Sequence, residues 1–294
     1  MLRYLMASFL FLLLLQSCSS NEKRLASSIY EIRDNDRSFL KEIHETDRLQ
    51  TAPADYEPVK DELIKKWTYA SPNESGEEVT GVAHALDTDD KVIALTFDAC
   101  GNESGDGYDE ELIEFLIEEE IPATLFINAR WIDEHHDTFH DLANHELFAI
   151  ENHGTEHLPL FVQQATVWGI EGTNHVSDVI DEVMINQQKI ERLTGEPPQY
   201  FRSGTAHYDD IAVQVVNDLG LNVVNFDILG DAGATYSKTE VEHSLLQAEP
   251  GSIALLHMNK PESETAEGVK RAIPQLQENG YNFVHLDDYP LLTY

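Results

Sequence analysis

The chain has 294 residues, 41% hydrophobic and 25% charged, with 16 Gly and 11 Pro, proportions that exclude a collagen-like, low-complexity or wholly disordered protein. Nineteen Lys+Arg against 54 Asp+Glu give a formal net charge of −35, which repels a phosphate backbone at long range and argues against nucleic acid as a partner. Two cysteines are too few for a disulfide framework.

The first segment is an address. Arg3 precedes an apolar run at 9–15 and the ending Leu15-Gln16-Ser17-Cys18; the run is too short to span a bilayer and fits a signal-peptide core. The Leu-x-small-Cys ending resembles a bacterial lipoprotein signal, which implies cleavage before Cys18 and a lipid-bearing thiol, hence an exported protein held on the cell envelope. An ordinary secretory signal is the alternative, and export follows from either. Residues 18–89 read as stalk and lead-in: a polar stretch with Ile29, Ile32, Leu40 and Ile43, then Pro53, Pro58 and Pro72 around a helical pattern at 59–67.

From residue 90 onward, strand-like runs alternate with helical patterns. Strands are expected at 92–97, 123–128, 148–151, 199–202, 222–226, 252–256 and 282–286, and helices at 109–120 and 176–193 among others. Such alternation implies parallel strands joined by crossover helices, an α/β architecture. A distorted parallel barrel of about seven strands over 90–294, behind a helical or irregular N-terminal extension, is preferred over an open sheet because reactive residues gather at the strand ends. Asp98, His153 and His157, Arg202, Asp227 and Asp231, and His257 follow or close five strands, and in a parallel barrel those ends share one rim.

His153-Gly154-Thr155-Glu156-His157 is the sharpest local pattern. Two imidazoles four residues apart can hold one divalent cation. Trp131 and Trp168 read as packing residues, with sugar stacking as the other option, and the aperiodic stretch 158–174 as a lid or a plain irregularity.

The order Thr96-Phe97-Asp98, His153-x-x-x-His157, Phe201-Arg202, an Asp at 227–231 and Ile253-Ala254-Leu255-Leu256-His257 resembles the five motifs of the polysaccharide deacetylases, the NodB-homology group of carbohydrate esterase family 4, over about residues 90–290. The resemblance implies a metal-dependent hydrolase acting on carbon-nitrogen bonds other than peptide bonds, which removes acetyl groups from an N- or O-acetylated polysaccharide of the peptidoglycan or chitin kind. It implies Asp98 as general base held by Arg202, His153 and His157 as ligands of a divalent metal such as zinc, and His257 as general acid. Asp231, with Asp227 as the alternative, would orient His257, and Leu255 would line the groove for the acetate methyl.

Three motifs depart from the pattern. The second aspartate of the first motif, a metal ligand in the family, is Ala99; Asp98 itself, Cys100, Glu103, His207 or water are the possible replacements. The third motif reads Arg202-Ser203-Gly204-Thr205, and Ala232 stands where an aromatic residue follows the fourth-motif aspartate. The missing aspartate keeps a second reading open, a carbohydrate-binding homologue with little or no turnover.

Overall fold

The computed structural model describes residues 56–101 and 105–294; the expected leader at 1–17, Cys18, the part of the expected stalk through residue 55, and Glu103 lie outside the described residues. In chain order come α1 (Glu57–Trp67), β1 (Ser75–Gly76), β2 (Ala83–Leu86), β3 (Val92–Ala99), α2 (Glu110–Glu118), β4 (Ala123–Ile127), α3 (Ala129–Glu134), α4 (His136–Ala143) and β5 (Phe148–Asn152). A short hairpin follows, β6 (Thr166–Val167) and β7 (Ile170–Glu171), then α5 (Val176–Thr194), β8 (Tyr200–Phe201), β9 (Tyr208–Asp209), α6 (Asp210–Asp218), β10 (Asn222–Val223) and β11 (Ile228–Leu229). The chain ends with α7 (Lys238–Leu245), β12 (Ser252–His257), α8 (Thr265–Glu278), β13 (Asn282–Val284) and β14 (Leu291–Thr293).

Each of the seven expected strands is present. Their central run is parallel, in the order β10-β8-β5-β4-β3-β12. The sheet then continues through β2 and β14, which pair antiparallel. An α/β sheet curled into a distorted half-barrel results. A single bridge, Ala83 to Val224, and the Asn225 amide donating to the Ala83 carbonyl at 2.7 Å bring β2 back against the end of β10. Residues ahead of position 90 therefore supply both a strand and, through α1, a helix whose Leu63 joins the core formed by α5 and α6. The antiparallel strands are not parallel-barrel members because no crossover helix precedes them; β2 enters from the lead-in and β14 leaves through a short 3₁₀ turn at Leu286–Asp288.

The sheet is buried on both faces, which is why its strands read as nearly continuous apolar runs. Period-two alternation sorts them. Ile93, Leu95, Phe97 and Ala99 of β3 join Leu125 and Ile127 in the core under the helices, while Ala94 packs with Phe126 and Ile253 on the barrel's inner side. Thr96 and Asp98 share that inner side, and Arg202 lies over the Phe126 ring at 4.2 Å.

Glu151 sits at the junction of β5 and β8, buried, with Oε2 accepting from the amides of Gln199 and Tyr200 at 2.8 and 2.7 Å. Burial pushes its carboxyl up to about 8 from an ordinary 4.5, against the pull of those two amides. A raised carboxyl contributes stability that is fully present below the unfolded value and lost as pH rises through the folded one, at no more than about 1.4 kcal/mol per pH unit. Glu151→Gln keeps a carbonyl acceptor and removes the proton. Urea unfolding at about pH 5 and about pH 9 is expected to show a smaller loss of stability for the variant than for the wild type.

Candidate active site

Arg202 leaves β8 into the barrel with no exposed surface. Its Nη1 donates to Asp98 Oδ1 at 2.8 Å and to Thr96 Oγ1 at 2.9 Å, Nε to the Val224 carbonyl at 3.0 Å, and Nη2 to the Asn225 carbonyl at 2.9 Å. Those bonds fix one carboxylate oxygen of Asp98. The other, Oδ2, faces His153 Nε2 at 3.5 Å. Burial works to raise the Asp98 carboxyl, but the charges of His153, Arg202 and His257 outweigh it and hold the group below the usual carboxylate range.

His153 follows directly from β5. Its Nδ1 donates to the Arg202 carbonyl at 2.9 Å, which turns Nε2 toward the rim, and burial lowers the pKa of the ring against the pull of Asp98. His157 stands edge-on to it, ring centroids 4.9 Å apart. It has a positive φ of 61°, rare for a residue with a side chain. Gly204 makes room for it, since a Cβ at 204 would meet the His157 carbonyl at 2.4 Å.

Glu182 on α5 holds that loop. Its buried carboxylate accepts the amides of Thr155, Glu156 and Leu158 at 2.9–3.1 Å, and Thr155 Oγ1 donates to its backbone carbonyl at 2.8 Å. Nearby, Asn186 bridges Ile127 and Asn152. The sequence carries a signal for this role that the apolar stripe masks: Glu182 and Asn186, four apart, lie on the face shared by Val179, Val183 and Ile190.

On the opposite side of the rim His257 ends β12. Its Nδ1 donates to Asp231 Oδ1 at 2.8 Å, its own amide donates to Asp231 Oδ2 at 2.8 Å, and Thr265 Oγ1 donates to Oδ2 at 3.0 Å. Asp227 is elsewhere, accepting from Ser252 Oγ and the Ile253 amide at 2.7 Å each. Burial opposes protonation of His257, but Asp231 and the neighbouring Cys100 outweigh it and raise the imidazole well above its ordinary pKa.

Cys100 completes the rim, its Sγ 3.8 Å from His153 Nε2. Burial raises its thiol, yet the imidazoles of His157 and His257 bring it down to about 6. Among the described residues, Cys100, His153 and His157 form the group able to hold a metal ion, one ligand atom from each lying within 4.8 Å of the others. The buried His157 Nε2 has no hydrogen-bond partner, so an imidazole nitrogen is spare in a basin of metal-ligand chemistry, and the donor set fits a divalent cation. Asp98 is not a member of that group. His207 turns away to the Thr205 carbonyl and stacks edge-on against Trp168.

A cavity of about 400 Å³ opens beside Asp98 and His257, walled by Trp168, Phe226, Leu229 and Leu255, with Glu77 at its edge. Trp131 is fully buried, whereas Trp168, at the tip of the β6–β7 hairpin within 158–174, is 74% exposed. The two tryptophans thus part company.

Residues 85–224 match the family model for polysaccharide deacetylase. The fold is that of solved family 4 carbohydrate esterases, and the family match, the relatives and the fold together support a divergent polysaccharide deacetylase. It is 24% identical over 239 residues, 76% of this chain and 83% of the relative, to the peptidoglycan-N-acetylmuramic acid deacetylase PdaA of Bacillus subtilis (strain 168). The solved structure of Bacillus subtilis PdaA, a family 4 carbohydrate esterase, superposes with a TM-score of 0.59 at 21% identity, covering 78% of this chain and 87% of that one. A family 4 pseudoenzyme from Bacillus anthracis superposes at 0.58, with 19% identity over 70% of this chain and 67% of its own.

Removing the Glu182 carboxylate by Glu182→Ala leaves three amides of the histidine loop without their acceptor. A loss of about 1–3 kcal/mol is expected in chemical denaturation, since these part-buried amides lose their acceptor.

Proposed function

We propose that the protein is a metal-dependent hydrolase that removes acetyl groups from an N- or O-acetylated polysaccharide of the peptidoglycan or chitin kind, outside the cytoplasm. One observation supports this reading above the rest: Asp98, His153, His157 and His257 converge from separate strand ends on one rim beside an apolar-walled cavity. A divalent cation held by His153 and His157, zinc being the natural choice for imidazole donors, would supply Lewis acidity toward the acetyl carbonyl and bring a water's pKa toward neutrality.

Asp98 takes the proton of the attacking water. Arg202 occupies Oδ1, so the base presents Oδ2, and the salt bridge keeps it ionised and ready to accept. His257 gives a proton to the departing amine or alcohol. Asp231 binds its Nδ1 and leaves Nε2 for the substrate side, and its charge keeps the ring protonated until needed. Leu255 and Phe226 exclude water from the acetate methyl, while Trp168 offers an exposed ring face to a sugar. The net charge of −35 favours a neutral or amino-sugar polymer over a densely anionic one.

Ala99 favours a second reading, a homologue that binds glycan and turns it over weakly or not at all. Acetate release from acetylated chitin-type and peptidoglycan-type polymers separates the two. The hydrolase is expected to lose activity on chelation and regain it with zinc, and Asp98→Asn or His257→Ala to lower the rate by about 10²–10⁴. A pure binder would retain glycan and release no acetate with any metal.

The leader at 1–17 and Cys18 support attachment to the envelope by acylation. Fatty-acid labelling in a bacterial host is expected to mark the wild-type chain in the membrane fraction and to leave Cys18→Ser unlabelled and released, because several acyl chains are needed for stable anchoring.

A further inference from the structure

The buried thiol of Cys100 has no role in the mechanism above, and it lies beside a histidine nitrogen with no hydrogen-bond partner.

Alternation along β3 decides which side chains reach the rim. Ile93, Leu95, Phe97 and Ala99 face the helical core, where Ala99 packs with Ile127 and Trp131. Thr96 and Asp98 face inward, and Cys100, two residues beyond Asp98, follows them. Gly101 then turns the chain with φ of 62°, and a Cβ there would meet the Trp131 amide at 2.4 Å. The tight passage against the start of α3 holds Cys100 at the mouth.

Distances agree with a shared ion. Tetrahedral ligation with metal–sulfur near 2.3 Å and metal–nitrogen near 2.0 Å puts sulfur and nitrogen about 3.5 Å apart; Cys100 Sγ and His153 Nε2 are 3.8 Å apart. His157 is 8% exposed and its Nε2 has no hydrogen-bond partner, and one ligand atom from each of the three residues lies within 4.8 Å of the others. Asp98 is committed elsewhere, one oxygen to Arg202 and the other toward His153.

We propose that Cys100 is the third protein ligand of the divalent cation held by His153 and His157, giving this chain a Cys-His-His centre in place of the carboxylate that position 99 lacks. The inference rests on the metal-dependent reading above for the presence of an ion, but not on the acetyl substrate. A thiolate with two imidazoles is a borderline-soft donor set; it selects zinc-like ions and discriminates against magnesium and calcium, which prefer oxygen. Asp98 is thereby left free as a base, so ligand and base are separate residues two apart on one strand face.

The test uses the full chain with Cys18→Ser, which leaves Cys100 as the only thiol. After chelation and loading with cobalt(II), a thiolate-to-cobalt charge-transfer band is expected in the near ultraviolet, absent in Cys100→Ser and Cys100→Ala. Titration with zinc is expected to give one ion per chain, with affinity falling more than about 100-fold in Cys100→Ala, since loss of an outer-shell partner alone costs about 10–100-fold. Circular dichroism of the variants checks their folding, and the cobalt spectrum of the parent stands without any variant at position 100. A cobalt-loaded parent without the band overturns the proposal, as does folded Cys100→Ala with unchanged zinc affinity, a result that would move the third ligand to Asp98 or water. The band without acetate release keeps this centre and defeats the deacetylase reading; acetate release without the band does the reverse.

Discussion

A guanidinium with no exposed surface governs the rim. Burying Arg202 and Asp98 strips water from two charges, a cost of several kcal/mol per ion that only close pairing and full hydrogen bonding can offset. Here the offset comes from the Asp98 carboxylate, the Thr96 hydroxyl and the carbonyls of Val224 and Asn225. Those partners sit on β3 and just beyond β10, and Val224 and Asn225 are also the residues that meet Ala83 of β2. The contacts that aim the Asp98 carboxylate and those that bring β2 against the end of β10 thus share Val224 and Asn225.

From that anchor the chemistry spreads by contact. The Arg202 carbonyl takes the Nδ1 proton of His153 and so sets which nitrogen faces the mouth. Across the rim Asp231 does the same for His257 with one oxygen, while its second oxygen takes the His257 amide and the Thr265 hydroxyl. Each imidazole is therefore fixed in tautomer and direction by a group that is itself held. The loop between the two metal-type histidines has no regular structure to stiffen it, and Glu182 performs that task from the helix behind. A polar residue on the buried face of α5 is costly unless paired, and its pairing with loop amides explains its place there.

Strand alternation sends neighbouring side chains to opposite faces, so Ala99 packs into the helical core while Asp98 faces the rim. Cys100 lies on the face of Asp98, and Gly101 lets the chain turn there. The thiol thereby comes close to the two histidines.

Much of the fold was legible along the chain. Apolar runs of period two between helical patterns of period 3.6 identify all seven principal strands, because those periods arise from local geometry and burial. The gathering of Asp98, His153, His157, Arg202 and His257 at strand ends was legible too, since parallel strands put like ends together. What local order could not convey was partnership. β2 and β14 joined the sheet antiparallel through contacts with residues far along the chain. Asp231 rather than Asp227 met His257 because β11 carries the two aspartates to different heights of β12. Trp131 went to the core and Trp168 to the surface, and Glu182 found its amides a helix away. Residue type and spacing state which chemistry a chain owns; which atoms touch depends on the sum of distant packing, and that sum exists only once the barrel has closed around Arg202.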